Sequence, residues 1–215
     1  VEYGFGFTGA RKVSIEGDDD LQNLYSRIIS ARLLLLAVSY LGMNVLAYVT
    51  HVGVQQFVSM NILFLVIIGV AFQLTWLFQG KQDMKLITII NAVSRLISVI
   101  LVFLVVKTEA HLYLYCFCYS VTFIFSAVLG LSLSRKKYGL KVRLCRFKEA
   151  IDEIKDGWYL FISQAMSKIF SSVGVTVLGT VAVSSIVGIY SAIYKIPYIM
   201  ILFFSPVSQA LYQIG

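Results

Sequence analysis

Six apolar runs of about twenty residues each constrain this chain more than any other feature. They lie at 32–50, 57–78, 86–106, 111–134, 158–180 and 186–204. A helix needs about 20 residues to cross roughly 30 Å of hydrocarbon. Lipid offers no partner to backbone N–H and C=O groups, so a spanning run satisfies them internally as helix. Composition agrees: 59% of the 215 residues are hydrophobic and 13% are charged, against about 25% charged in soluble domains. The expected fold is all-α, a polytopic transmembrane helical bundle, and a water-soluble globular domain is set aside. The chain opens at Val1 without a signal-peptide pattern. It reads as a piece of a longer protein, with VEYGFGF as the tail of an earlier span.

The net charge of +7 has a membrane explanation, so nucleic acid is not an expected partner. Taking 9–31 as cytoplasmic, the six runs pair into three hairpins. Fourteen of the eighteen Lys and Arg then fall on the inner side, from Arg11, Lys12, Arg27 and Arg32 through Lys81 and Lys85 to the 135–157 segment. Only Lys107 falls outside. That asymmetry is the positive-inside pattern. In the 135–157 segment Leu144, Phe147, Ile151 and Ile154 recur at rough helical spacing among basic residues. Two readings stand, an amphipathic helix on the inner membrane face meeting anionic lipid, and a solvated linker. Either way it separates 1–134, which carries four spans, from 158–215, which begins a second bundle.

The other three basic residues, Arg95, Lys168 and Lys195, sit inside spans. A charge at a helix centre costs about 2.5–3.5 kcal/mol on insertion scales, and such residues usually face a protein interior or a wet cavity. Asn91, Ser94 and Ser98 make a polar stripe around Arg95. Gln164, Ser171 and Ser172 lie close to the face of Lys168. Tyr190, Tyr194 and Tyr198 recur beside Lys195, where Pro197 would bend the helix as a hinge. No Asp or Glu occurs in the six runs. Arg95, Lys168, Lys195, Asn91, Gln164 and Tyr194 are therefore the candidates for a cavity that takes an anionic substrate. The bland alternative is interhelical hydrogen bonding and packing.

Nothing points to a metal, cofactor or catalytic centre. Cys116 and Cys118 point apart on a helix and read as packing residues. His51 and His111 read as interfacial polar residues, and Asp18, Asp19 and Asp20 as a helix start exposed to solvent. Gly69 would let two helices approach closely.

Two motifs carry a resemblance. Tyr3-Gly4-Phe5-Gly6-Phe7-Thr8-Gly9-Ala10-Arg11 resembles the YGF…TGAR segment after the second span of bacterial polysaccharide flippases of the O-antigen and teichoic type. Thr75-Trp76-Leu77-Phe78-Gln79-Gly80-Lys81-Gln82-Asp83-Met84 resembles the PxWxFQGxExM segment after their fourth span, with Leu74 or Thr75 in place of Pro and Asp83 in place of Glu. The resemblance covers essentially the whole chain and points to the multidrug/oligosaccharidyl-lipid/polysaccharide exporter superfamily.

It implies a partial chain of a two-bundle exporter fold, holding the end of helix two, helices three to six, and helices seven and eight. It implies a multi-pass protein of the bacterial inner (cytoplasmic) membrane, which flips a polyprenyl-diphosphate-linked oligosaccharide by alternating access. The implied partners are a lipid-linked anionic oligosaccharide, membrane lipids and other polysaccharide-assembly proteins. No cofactor and no covalent chemistry are expected. Gly9, Arg11, Trp76, Gln79 and Gly80 would lie on cytoplasmic loops and brace an inward gate. Rival readings are a drug or cation exporter of the same fold, a membrane glycosyltransferase or polymerase, and a structural scaffold. The first calls for embedded acids, the second for a large outer loop, and the third leaves the embedded cations without a reason.

Overall fold

The computed structural model describes residues 3–16, 20–107, 112–183, 186–193 and 197. Every regular element among them is an α-helix. In chain order these are α1 (Phe5–Glu16), α2 (Leu21–Val49), α3 (Val54–Phe72), α4 (Thr75–Gly80), α5 (Met84–Val105), α6 (Leu112–Tyr138), α7 (Phe147–Asp156) and α8 (Trp158–Val181). Residues 186–193 are helical as well.

Four of these stretches are long and apolar enough to cross a membrane: α2, α3 with α4, α5 and α6. A fifth is α8, if its segments Trp158–Phe170 and Ser172–Gly179, bent by 43°, form one span. The expected sixth run, 186–204, lies mostly outside the described residues. The chain divides into two compact units, Val1–Phe161 and Ile162–Gly215.

In the first unit α6 packs against α3 and α5, while α1 packs on α4 and α7 on α2. Gly69 lets α3 and α6 meet backbone to backbone. A Cβ there would lie 2.5 Å from the carbonyl carbon of Phe123. Ser120 Oγ, on the same face of α6, donates to the Ile62 carbonyl of α3 at 3.1 Å. Cys116 and Cys118 are both buried.

The spans differ from the expected ones in two places. The first helix is not 32–50 but begins eleven residues earlier, at Leu21. Its opening stretch is amphipathic: Leu21, Leu24, Tyr25, Ile28 and Ile29 form a buried stripe with helical spacing. An apolar-run criterion passes over such a stretch because its other face is polar. The second expected span, 57–78, is broken. Gln73 leaves the helix with extended geometry (φ −72°, ψ 126°), and α4 restarts at Thr75.

The densest core does not run along the spans. Phe5, Leu24, Tyr25, Ile28, Ile29, Leu74, Trp76, Leu77 and Phe78 are almost completely buried where α1, the start of α2 and α4 meet. Along the apolar helices large side chains point outward instead, Phe103 being 80% exposed. A spanning helix has no need to hide such groups from lipid tails.

The basic segment after α6 is also resolved into parts. Residues 139–146 have no regular structure, and only 147–156 are helical. Leu144 therefore lies off the helix to which its spacing assigned it. The side of α7 that packs inward carries Ala150 and Glu153.

Candidate functional site

The two sequence motifs, more than sixty residues apart, meet in space. Gly9 of α1 faces the Trp76 ring of α4; a Cβ at Gly9 would lie 2.9 Å from Trp76 Cε3 and 3.0 Å from Ile28 Cδ1. One helical turn on, Gly80 of α4 faces α1 in return. A Cβ there would lie 2.6 Å from Val13 Cβ and 2.7 Å from the Ala10 carbonyl oxygen. Each motif thus supplies a glycine that lets the other helix approach. The motif residues stand on helices, not on the expected loops, because close packing at these glycines keeps both segments wound. Arg11 and Gln79 are exposed at the edges of this junction, and Trp76 is fully buried.

Beside the junction stands a cation that the charge count placed at a helix edge. Arg32 is buried within α2, four residues after Ile28 on the same inward stripe. Its Nη1 donates to the Gln73 carbonyl at 2.7 Å and reaches the Val70 and Ala71 carbonyls at 3.4 Å. These carbonyls lie at the end of α3, where the run of helical donors gives out; the Val70 carbonyl also accepts the Gln73 N–H at 3.2 Å. A cation is also favoured at a helix C-terminus by the macrodipole. The guanidinium lies 5.8 Å from the Phe5 ring centroid. Arg32, Gln73, Thr75, Trp76 and Gln79 line a cavity of about 200 Å³.

Gln73 carries the polar cluster onward. Its Nε2 donates to Ser126 Oγ of α6 at 3.1 Å and to Asn91 Oδ1 of α5 at 3.5 Å. Sequence reasoning found Asn91 and missed Arg32 and Gln73 as a pair. The apolar run begins at Arg32, which made it look terminal. The signal that could have found it is the α2 stripe, extended by one turn.

Charged contacts tie further pieces to this end of the first unit. Asp83, at the acidic position of the second motif, accepts from Lys137 Nζ at 2.6 Å and from the Tyr138 hydroxyl at the end of α6. Those hydrogen bonds, first Lys137 and then Tyr138, hold its carboxyl below the usual aspartate range. Lys12 Nζ donates to Glu153 at 2.7 Å and Asp156 at 3.1 Å, joining α1 to α7. Burial works to lower the Lys12 pKa, yet the hydrogen bonds and charge of Glu153 and Asp156 outweigh it and hold the ammonium above its ordinary value.

The cations that the sequence singled out are divided between the two units. Arg95 is exposed on α5 and lines a groove of about 420 Å³ with Ser98, Val102, Phe103, Tyr115 and Tyr119. Its stripe divides: Ser94 is buried, and Asn91 and Ser98 are half-buried. Gln164, half-buried, and Lys168, exposed, belong to the second unit on α8. Tyr194 and Lys195 lie outside the described residues, as do His111, Asp18 and Asp19; Pro197 is helical and exposed. Among the described residues no group of His, Cys, Asp or Glu has the geometry to hold a metal.

Residues 1–212 match the model of a family described as polysaccharide biosynthesis protein. Two curated relatives bear the name "Putative O-antigen transporter". The one from Shigella dysenteriae is 26% identical over 215 residues, which is 99% of this chain and 54% of that protein. The one from Escherichia coli (strain K12) is 22% identical over 214 residues, 99% of this chain and 52% of that protein. The chain thus spans about half the length of these curated relatives. No solved structure matches it.

Proposed function

Because this chain belongs to the polysaccharide biosynthesis protein family, we propose that it is part of a carrier of the bacterial inner membrane that flips a polyprenyl-diphosphate-linked oligosaccharide. One observation carries the reading most directly. The apolar runs hold Arg95, Lys168 and Lys195 near their middles and not a single Asp or Glu. A diphosphate meeting bare hydrocarbon faces a desolvation barrier of many kcal/mol, on the order of tens for an unpaired ion. Cations facing a hydrated passage lower that barrier. The polyprenyl tail can stay in the bilayer throughout, so only the headgroup needs the passage.

Transport then follows from alternating access, one bundle rocking against the other. No bond is made or broken, and the protein is not an enzyme. Arg95, Lys168 and Lys195 meet the diphosphate in turn, while Asn91, Gln164 and Tyr194 contribute hydrogen bonds to phosphate or sugar. The junction of Gly9, Arg11, Trp76, Gln79 and Gly80 braces the cytoplasmic gate. The broken span at Gln73, with its carbonyls held by Arg32, and Pro197 are the places where helices bend. Discontinuous helices of this kind recur at transporter sites. A cation exporter of the same fold would need embedded acids, which these spans lack.

The test is made in the full-length protein. Arg95→Gln, Lys168→Gln and Lys195→Gln are expressed at equal membrane level, with Lys107→Gln as the control. Surface polysaccharide is expected to fall at least several-fold in the first three and to stay normal in the control. Wild-type output from all three embedded variants would remove the reading.

A further inference from the structure

A second basic pocket borders the motif core through Tyr25, whose ring lies 6.3 Å from that of Trp76. It measures about 450 Å³ and is lined by Tyr25 of α2, Ser132 and Arg135 of α6, and Leu140, Lys141 and Val142 of the segment that follows. We propose that it binds the headgroup of an anionic phospholipid of the leaflet facing the basic side of the protein.

Position comes first. Arg135 directly follows the apolar run of α6, so it stands where hydrocarbon gives way to headgroups. Tyr25, across the pocket, belongs to the amphipathic start of α2. Charge comes second. Residues 131–148 contain seven Lys and Arg and no Asp or Glu. Lys137 is committed to Asp83, whereas Arg135 and Lys141 enter no ion pair among the described residues.

The backbone that presents Lys141 is held in place. Gln22 grips it from both sides, its Nε2 donating to the Lys141 carbonyl at 2.8 Å and its Oε1 accepting from the Lys141 N–H at 2.9 Å. Four residues on, the Cys145 N–H donates to Ser30 Oγ at 3.0 Å. This short strap therefore does not hang free in solvent. Leu140 is buried, but Val142 and Leu144 point outward, 49% and 74% exposed. A soluble anion would gain nothing from that flank. A phospholipid matches both features, since its phosphate meets Arg135 and Lys141 and its acyl chains lie along Val142 and Leu144. Basic pockets between spanning helices on the cytoplasmic side are a general way to hold acidic headgroups. The packing alternative is that Arg135 simply complements the C-terminal end of α6, but Lys136 stands in the same last turn and Lys141 is not on it.

The experiment uses the full-length protein purified in detergent. Phosphatidylglycerol, phosphatidylcholine and inorganic phosphate are offered separately, and retained ligand is read by native mass spectrometry. Retention of phosphatidylglycerol over phosphatidylcholine is expected, with no retention of inorganic phosphate. The double variant Arg135→Gln/Lys141→Gln should lose about thirtyfold in phosphatidylglycerol affinity, given the attraction of each basic residue to an acidic surface. Lys136→Gln/Lys148→Gln removes the same charge outside the pocket and should retain the lipid. Arg135→Lys/Lys141→Arg keeps the charge and should retain it too, which separates lost binding from lost folding. An equal fall in both glutamine pairs would mean diffuse attraction and overturn the proposal. So would displacement of the lipid by equimolar polyprenyl diphosphate, which would make the pocket a substrate subsite. Neither outcome depends on whether flipping itself occurs.

Discussion

Arg32 shows how one side chain can replace backbone hydrogen bonds. A helix that stops inside a membrane leaves carbonyls that lipid cannot satisfy. Here a guanidinium from a neighbouring helix reaches the Ala71 and Gln73 carbonyls, shares the Val70 carbonyl with the Gln73 N–H, and lies near the Phe5 ring at the same time. Burying that charge is costly unless such partners are present. Truncation would remove the cation and leave the Ala71 and Gln73 carbonyls without its hydrogen bonds. Arg32→Met in the full-length protein should lower its stability by about 1.5–3 kcal/mol, the usual range for hydrogen bonds to a charged group. Arg32→Lys, a point charge without the planar fork, should recover only part of that. Thermal unfolding in detergent reads both, and a Met variant as stable as the parent would show that the α3 break holds itself open.

Between elements, the contact of α1 with α4 turns on two glycines that differ in what surrounds them. At Gly80 an added methyl meets backbone, the Ala10 carbonyl, which cannot step aside without moving α1. At Gly9 it meets the Trp76 ring and the flexible end of Ile28. Gly80→Ala should therefore destabilise by about 1–3 kcal/mol, as overpacking does, and Gly9→Ala by less. Gly42→Ala, in the open middle of α2 with nothing within 4 Å, should instead stabilise by roughly 0.5–1 kcal/mol through helix propensity. The order of the three melting temperatures checks this; a Gly80 variant melting above Gly42→Ala would refute the close approach.

At the scale of the molecule, ion pairs and hydrogen bonds gather the polar segments of the first unit. Lys12 pairs with α7, Asp83 with the end of α6, and Gln22 grips the strap after it. If that end is the cytoplasmic one, single cysteines introduced there should be shielded from an impermeant thiol reagent in intact cells. Gln82→Cys and Arg143→Cys are the probes, and His51→Cys, in the turn between α2 and α3, should be labelled. Labelling of Gln82→Cys without His51→Cys would invert the topology.

Much of this was legible in the residues alone. Long apolar runs dictated membrane helices, because hydrocarbon leaves the backbone no other choice over 20 residues. The motifs around Gly9 and Trp76 pointed to the family, and Gly69 to a close helix pair. Residues that depend on partners far along the chain were not legible. Arg32 looked terminal because its meaning lies in carbonyls some forty residues away. The break at Gln73 has no proline to announce it, since tertiary donors stabilise it. Leu144 fitted a helical spacing but fell on a strap held by Gln22 and Ser30. Local chemistry along the chain was enough to set which segments are helical and apolar; which polar atoms satisfy one another was decided only when the helices packed, because hydrogen bonds act across angstroms of space and take no account of separation in sequence.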